Sequence, residues 1–435
     1  MAGDLQGEAV EVLQRLIRFN TVNPPGDERP AIEYLADYLQ KAGLAVELLA
    51  ADEGRPNLVA DLAGRDEGPT LCYLGHVDTV LADPEDWEHD PWSGDVIDGF
   101  LWGRGALDMK SQVAAEAVAA AQLARDGWAG RGHLKLVFVA DEEAGGDLGA
   151  HWLTSTHPEK VRCDMLLNEG AGQVFTLDGR RAYGVCCGEK GVFRFTLTAH
   201  GVAGHASLPR MGDNALLKLG PVLSRLAGRG HSFALTETSR EMLRRLGEDP
   251  DNPAQALAHL EASDPVLASL VLEPMLSVTL SPTMAQASLK VNVIPSRAQI
   301  KIDCRVPPGL GEEAARQQVE EVLQDAFEGL TLEFTEKVVG NESPVDTPLM
   351  RSISRWVERT EPGADVVPVL LPGFSDSRWF RDTFPDCVAY GFFPMSHTHL
   401  FESAPLIHSA NERIDVRDLG LATEFYAHVA RDLLS

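Results

Sequence analysis

Between Pro69 and Leu167 short apolar runs alternate with helix-patterned stretches, and that alternation restricts the fold more than any other feature of the chain. Pro69 to Leu74 is an apolar run of strand length. Lys110 to Ala124 is rich in alanine and free of Gly and Pro, which predicts a helix. Leu134 to Ala140 (LKLVFVA) predicts a buried strand, and Asp164 to Leu167 another. Upstream, Ile32, Leu35, Leu39 and Ala42 recur at helical spacing. Strand, helix, strand, helix in this order predicts an α/β fold, a mostly parallel sheet with helices on both faces.

The pattern changes near Gly188. Val192 to Ala199 (VFRFTLTA) alternates with period two, which predicts a strand with one wet face. A helix is expected over Asn214 to Leu226, and a polar, helical insertion over Thr236 to Leu272. Strands follow at Leu276 to Leu280 and Ala298 to Cys304, then an amphipathic helix from Glu312 to Phe327 and a strand from Thr331 to Lys337. The chain ends in a helix, Leu419 to Leu433. With 435 residues, two large domains or three small ones fit. The expected division is a larger domain of residues 1–189 and 343–435, with a smaller α+β domain, 190–342, inserted into it.

Charge narrows the partners. There are 38 Lys and Arg against 65 Asp and Glu, a net charge of −27. A surface that acidic repels nucleic-acid phosphates and anionic lipid heads, so neither nucleic acid nor membrane is expected as a partner. The six cysteines show no C-x-x-C spacing and suggest reduced, mostly buried thiols. Met1 to Asn20 has helical periodicity (Val10, Leu13, Leu16, Ile17) and no leader pattern, and the expected location is the cytoplasm.

The acids are not scattered at random. In LGHVDTV, His76 and Asp78 sit two apart beyond an apolar run. If the strand continues, both side chains share a face, and the carboxylate can orient the imidazole as a metal ligand. A chance pair in a loop is the alternative. In GRGALDMK, Asp108 stands before a helix, where it can be an N-cap or a ligand supplied from a loop. In ADEEAGG, a buried strand runs into Asp141, Glu142 and Glu143. Three such acids repel one another unless a cation holds them; a solvated loop is the alternative. Glu142 and Glu143 point to different sides, so one can bind metal while the other handles a proton. Glu169 follows another apolar strand, and His408 precedes the last helix. Together, these residues stand at or near carboxyl ends of a parallel sheet, where open α/β folds place their ligands. Mixed His and carboxylate donors suit zinc, with cobalt or manganese as further options. Five ligands with one shareable carboxylate suit two divalent ions about 3.5–4 Å apart.

These motifs, read in order, resemble one family. TVNPPGDE (Thr21 to Glu28), GHVDTV, GRGALDMK, DEEAGG and NEG are followed by GHASLPRMGDNA, KVNVIPS, DCRVPPG, YGFFP and HSANERI. The chain is similar over nearly its whole length to the two-zinc metallopeptidases that include acetylornithine deacetylase, succinyl-diaminopimelate desuccinylase, bacterial glutamate carboxypeptidase and aminoacylase. The resemblance implies that Asp108 bridges two metals. His76 and Glu169 would complete one ligand set, and Glu143 and His408 the other. Asp78 would orient His76. Glu142 would be the general base for a metal-bridging water and then protonate the leaving nitrogen. His205, in GHAS, would support the oxyanion, often in a neighbouring subunit's site. Asn292 and Arg305 would contact the substrate's carboxylate, with Arg378 as a further anion-binding candidate. The resemblance also makes the inserted domain a lid and the contact of a homodimer. Thr236 to Leu272 and SPTMAQASLKVNVIPS resemble the longer aminoacylase and carboxypeptidase-like branch, so no particular acyl group is implied.

The expected function is therefore hydrolysis of the amide bond of an N-acyl amino acid, or of a dipeptide-like substrate, beside a free carboxylate. A dipeptidase or carboxypeptidase acting on unblocked peptides is the alternative. A non-catalytic, metal-stabilised binding protein would lack Glu142 or several ligands, and none is missing. No G-x-S-x-G elbow supports a serine hydrolase.

Overall fold

The computed structural model describes residues 5–228 and 232–435. Met1 to Asp4, the start of the stretch read for a leader, lie outside the described residues. The chain forms two compact units. The first comprises Met1–Cys187, Ser343–Val369 and Ser375–Ser435, the second Gly188–Glu342 and Leu370–Phe374.

The first unit is built on a ten-stranded sheet. The strand Asp66–His76 runs parallel to Arg131–Val139 on one side and to Met165–Asn168 on the other, and Val388–Gly391 extends the parallel centre. Antiparallel strands flank it: Asn57–Ala63 and Ala45–Leu49 at one edge, Arg180–Glu189 and Gln173–Leu177 towards the other. His76 lies opposite Val139, and Tyr73 opposite Leu167. Three parallel strands therefore finish together at one rim, and the acidic motifs begin where they stop.

Alternating side chains of the central strand enter different cores. Leu71 and Tyr73 pack with Leu134, Leu136 and Phe138 beneath the helices Leu5–Ile17, Arg29–Ala42, Lys110–Arg125 and Val416–Leu433. Cys72 and Leu74 face the opposite way, among Val137, Val139, Leu153, Phe380 and Phe384. Both faces are covered, as a parallel sheet requires, and the α/β class expected from the alternation is the one adopted. The alanines of Lys110–Arg125 are buried along almost its full length, and their small size lets it pack closely against Leu5–Ile17 and Val416–Leu433.

The second unit is an antiparallel five-stranded sheet. Arg297–Val306 pairs with Gly191–Val192, Phe195–His200 and Thr279–Gln286, and Phe195–His200 also pairs with Leu330–Phe334. The helices Ala215–Ala227 and Glu312–Leu323 supply the rest of its core, including Leu219, Val222, Ala315 and Val319. A two-residue ribbon pairs Gly204–His205 with Val293–Ile294.

Two local expectations are corrected. The strand expected over Val192 to Ala199 is broken at Phe193 and Arg194, and its polar side is wet only at Arg194: Thr196 and Thr198 are 7% and 6% exposed. Phe195–His200 has a partner on each edge, and Gln299 donates to the Thr198 hydroxyl. The strand expected at Leu276 to Leu280 starts only at Thr279, because Leu276 closes the helical turn Glu273–Leu276. Among the described residues no helix is long and apolar enough to cross a membrane, and all six cysteines are buried thiols outside any disulfide.

Candidate metal centre

His76 is the last residue of the central strand and is 1% exposed. Its Nε2 lies 3.1 Å from Asp108 Oδ1 and 3.8 Å from Glu169 Oε2. Its Nδ1 faces Asp78, 3.1 Å from the backbone carbonyl and 3.4 Å from Oδ1. One ring nitrogen thus points into the acidic cluster while the other is anchored from behind. Glu169 immediately follows the strand Met165–Asn168.

Asp108 does not cap the helix that follows it. Lys110–Arg125 begins after Met109, with no side-chain cap bond. The Asp108 carboxylate lies between two imidazoles instead. Oδ1 faces His76, and Oδ2 is 3.0 Å from His408 Nε2, which is also 3.3 Å from Glu143 Oε2. Two potential donor sets result, His76, Asp108 and Glu169, and Asp108, Glu143 and His408, each with ligand atoms within 4.8 Å of one another. Asp108 belongs to both. The donors fit divalent cations in kind and geometry. The buried Oε1 of Glu143, which has no hydrogen-bond partner, is a lone pair that a cation would satisfy.

Glu142 belongs to neither set, yet its carboxyl feels both. Burial first, then the charge of Glu169, pushes it well above the usual carboxylate range. Burial, then the charge of Asp108, lifts Glu169 to about 7. Hydrogen bonds to Asp108 and Glu143 raise His408 to about 10. Burial lowers His76, but Asp108, Asp78 and Glu169 more than offset it, and its net shift is upward.

Without a cation, protons hold this cluster together, so a cation must displace them. Because the His408 value is raised, the ring is protonated below about pH 10 until metal binds. Metal binding is expected to release protons and to tighten as pH rises from about 6 to 9. Calorimetry in buffers of different ionisation enthalpy measures the release; identical heats in all buffers would contradict it.

The acidic loop is held by residues that the sequence reading left without roles. Asp141 adopts a left-handed conformation (φ 72°), uncommon for a side chain larger than glycine. Arg55 Nη1 reaches its Oδ1 at 2.9 Å, Asn23 donates to the same oxygen at 3.1 Å, and the Leu148 N–H donates to Oδ2. Arg55 is also paired with the fully buried Glu28. Asp78 accepts the N–H groups of Glu142 and Glu143, each at 3.2 Å, and the Asn23 amide at 2.9 Å. Thr21 and Asn23 are stitched along Val77 and Thr79. Removing the arginine would strand two buried carboxylates, a change that costs about 3–5 kcal/mol in comparable pairs. Asn23 and Glu28 lie in TVNPPGDE, and that motif was the signal available for them. Arg55 had none.

The remaining candidates are placed as follows. Arg378 lies in the helix Ser377–Thr383, over the Trp379 ring, and Asp376 and Trp379 approach Gly146 of the acidic loop. His205, Asn292 and Arg305 belong to the second unit. His205 and Asn292 are exposed on the two strands of the small ribbon and its approach. Arg305 is held by Asp303, which Arg194 also contacts, and lies over the Phe374 ring.

Residues 72–432 match peptidase family M20/M25/M40. The chain belongs to this family. As an M20 protein it is a hydrolase acting on amide bonds, of a metal-dependent family. It is 28% identical to aminoacylase-1 of Mus musculus over 416 residues, covering 93% of this chain and 90% of that one. It is 27% identical to a succinyl-diaminopimelate desuccinylase of Xanthobacter autotrophicus over 425 residues, covering 95% of this chain and 96% of that one. The M20 fold is also found in a metallo-carboxypeptidase of Sulfolobus solfataricus, with a TM-score of 0.69, 20% identity and coverage of 98% of this chain and 99% of that one. A dinuclear metal-binding M20 peptidase of Bacillus subtilis aligns with a TM-score of 0.61 at 14% identity, over 99% of this chain and 98% of that one.

Proposed function

We propose that this M20 hydrolase cleaves the amide bond of an N-acyl amino acid, or of a dipeptide-like substrate, beside a free carboxylate. The observation that carries the reading is the pair of donor sets sharing Asp108, with the Glu142 carboxyl beside both and in neither. Two divalent cations bound there, most suitably zinc, would supply Lewis acidity and an activated water. Asp108 would be the shared ligand, His76 and Glu169 the partners on one side, Glu143 and His408 those on the other. Asp78 fixes the His76 ring and the turn that presents Glu142 and Glu143. Glu142 takes the proton of the attacking water and returns it to the departing nitrogen.

His205 is suited to donate to an oxyanion. Ser207 places its N–H 3.2 Å and its hydroxyl 2.7 Å from Nδ1. The N–H fixes Nδ1 as an acceptor, which leaves the neutral ring's proton on Nε2. His205→Ala is expected to lower kcat more than it raises KM, because the oxyanion exists only late in the reaction. Steady-state kinetics separates the two effects, and a change in KM alone would count against this role.

A carboxylate-bearing substrate on a chain of charge −27 needs local cations. Arg305 and Asn292 are the proposed contacts, with Arg378 as a further one. Arg305 engages Asp303 chiefly through Nε, while Arg194 pairs with both Asp303 and Glu336; the guanidinium's several N–H donors are what would let Arg305 take a second anion. The reading includes a cytoplasmic homodimer joined through the second unit. Support for the joint is the exposed apolar surface of Leu216, Leu217, Leu289 and Val291 in that unit.

The testing experiment is a turnover screen of N-acetyl amino acids against unblocked dipeptides, with zinc, cobalt or manganese. N-acyl substrates are expected to be favoured, since the aminoacylase-1 similarity spans nearly the whole chain. Exhaustive chelation should stop turnover, and zinc or cobalt should restore it. Preference for unblocked dipeptides would favour the second reading, to which the fold shared with human carnosine dipeptidase 1 lends support. Full activity after chelation would defeat the metal-dependent reading.

A further inference from the structure

We infer that Glu412 is a positioning residue that sets the Asp108 loop in its ligating shape before any cation arrives. The inference rests on the two-cation reading of Asp108. Glu412 is fully buried. Its Oε1 accepts the N–H groups of Leu107 at 2.6 Å and Asp108 at 3.0 Å. Its Oε2 accepts Arg104 Nη1 at 2.7 Å and the Gly105 N–H at 3.1 Å. Its backbone carbonyl takes the Gly103 N–H at 3.0 Å. The whole turn from Gly103 to Asp108 is therefore fastened to one residue some 300 positions downstream.

The arrangement is costly unless complete. A buried carboxylate needs a counter-charge and filled lone pairs. Arg104 supplies the charge, and is itself 3% exposed and tied to the Leu81 carbonyl. The amides of the turn fill the lone pairs. Gly105 gives the turn its shape: its φ is 89°, and a Cβ there would meet Lys110 Cδ at 2.9 Å. Glu412 belongs to neither donor set, so it acts on the cations only through the segments that carry their ligands. It also opens into the strand Arg413–Asp415, which pairs with Phe100–Trp102, and it follows His408 by four residues. One residue thus fixes two ligand-bearing segments to each other.

The alternative is a turn that the cation itself orders. Hydrogen exchange of the full chain, stripped by chelator and reloaded with zinc, separates the two. Peptides covering residues 103–109 are expected to exchange slowly in both states. Rapid exchange in the stripped chain, reversed by zinc, would overturn the inference. In Glu412→Gln, an amide replaces one acceptor and the charge is lost. That variant is expected to exchange faster over 103–109 when stripped, with the strand Arg131–Val139 unchanged, and to bind zinc about 10–100-fold more weakly. Unchanged zinc affinity and exchange in a folded variant would also overturn it. Should the variant not fold, the wild-type comparison still decides. A wild-type titration showing fewer than two zinc ions per chain would fail the two-cation reading, while slow exchange in the stripped chain would still uphold Glu412 as the fastening of the turn.

Discussion

Glu142→Ala is expected to lower kcat by about 10²–10⁴-fold, the range of a positioned general base, while both cations stay bound. The separation follows from geometry. The five donors of the two sets do not include Glu142, whereas its carboxyl senses Glu169, His76 and Asp108. In the metal-free cluster burial and Glu169 push its affinity for protons up; two dications would pull it back towards neutrality, where a group can both accept and return a proton. Turnover and metal content measured on the same preparation check this. Near-wild-type turnover would remove Glu142 from the base role, and loss of a cation would make it a ligand.

Asp108→Ala is expected to empty both positions and to abolish turnover with them. Its two oxygens face different histidines, so removing it takes one donor from each set. The two remaining acids and two imidazoles would then surround a gap with no group common to both sides. His76→Ala, by contrast, should weaken one cation and spare the other, because Glu143 and His408 keep Asp108. Metal analysis after gel filtration reads both variants. A full equivalent retained by Asp108→Ala would show that the two positions are independent and that Asp108 does not bridge them.

The sequence made the site's outline legible where chemistry follows directly on a strand. His76, Glu142, Glu143 and Glu169 come immediately after apolar runs, and a parallel sheet gathers such ends at one rim. Asp108 was ambiguous because a carboxylate before a helix has two common uses, and the spatial positions of His76 and His408 distinguish them. Glu412 and Arg55 carried no local signal of their role, unlike Asp141, whose acidic neighbours already called for a counter-charge. Each is a charged loop residue whose partners lie dozens to hundreds of positions away, and in sequence such residues look like solvated surface. The two local errors have separate causes: Thr196 and Thr198 are buried by partners distant in sequence, whereas the other error is one of boundary. Short stretches such as Leu276 to Leu280 fit a strand or a helix end equally, and the surrounding packing decides.

The braces around Asp141 bear on how much of the chain one enzyme needs. The family match runs from residue 72 to 432, and all five proposed ligands fall inside it, although the similarity to aminoacylase-1 covers 93% of the chain and so reaches further. Thr21, Asn23, Glu28 and Arg55 fall outside the family match. A chain trimmed to residues 72–432 would keep every proposed ligand and lose the struts that hold the Glu142 turn. The leading seventy residues therefore matter to the site through their grip on Asp78 and Asp141, and trimming them is expected to misplace Glu142 while leaving the donors in place.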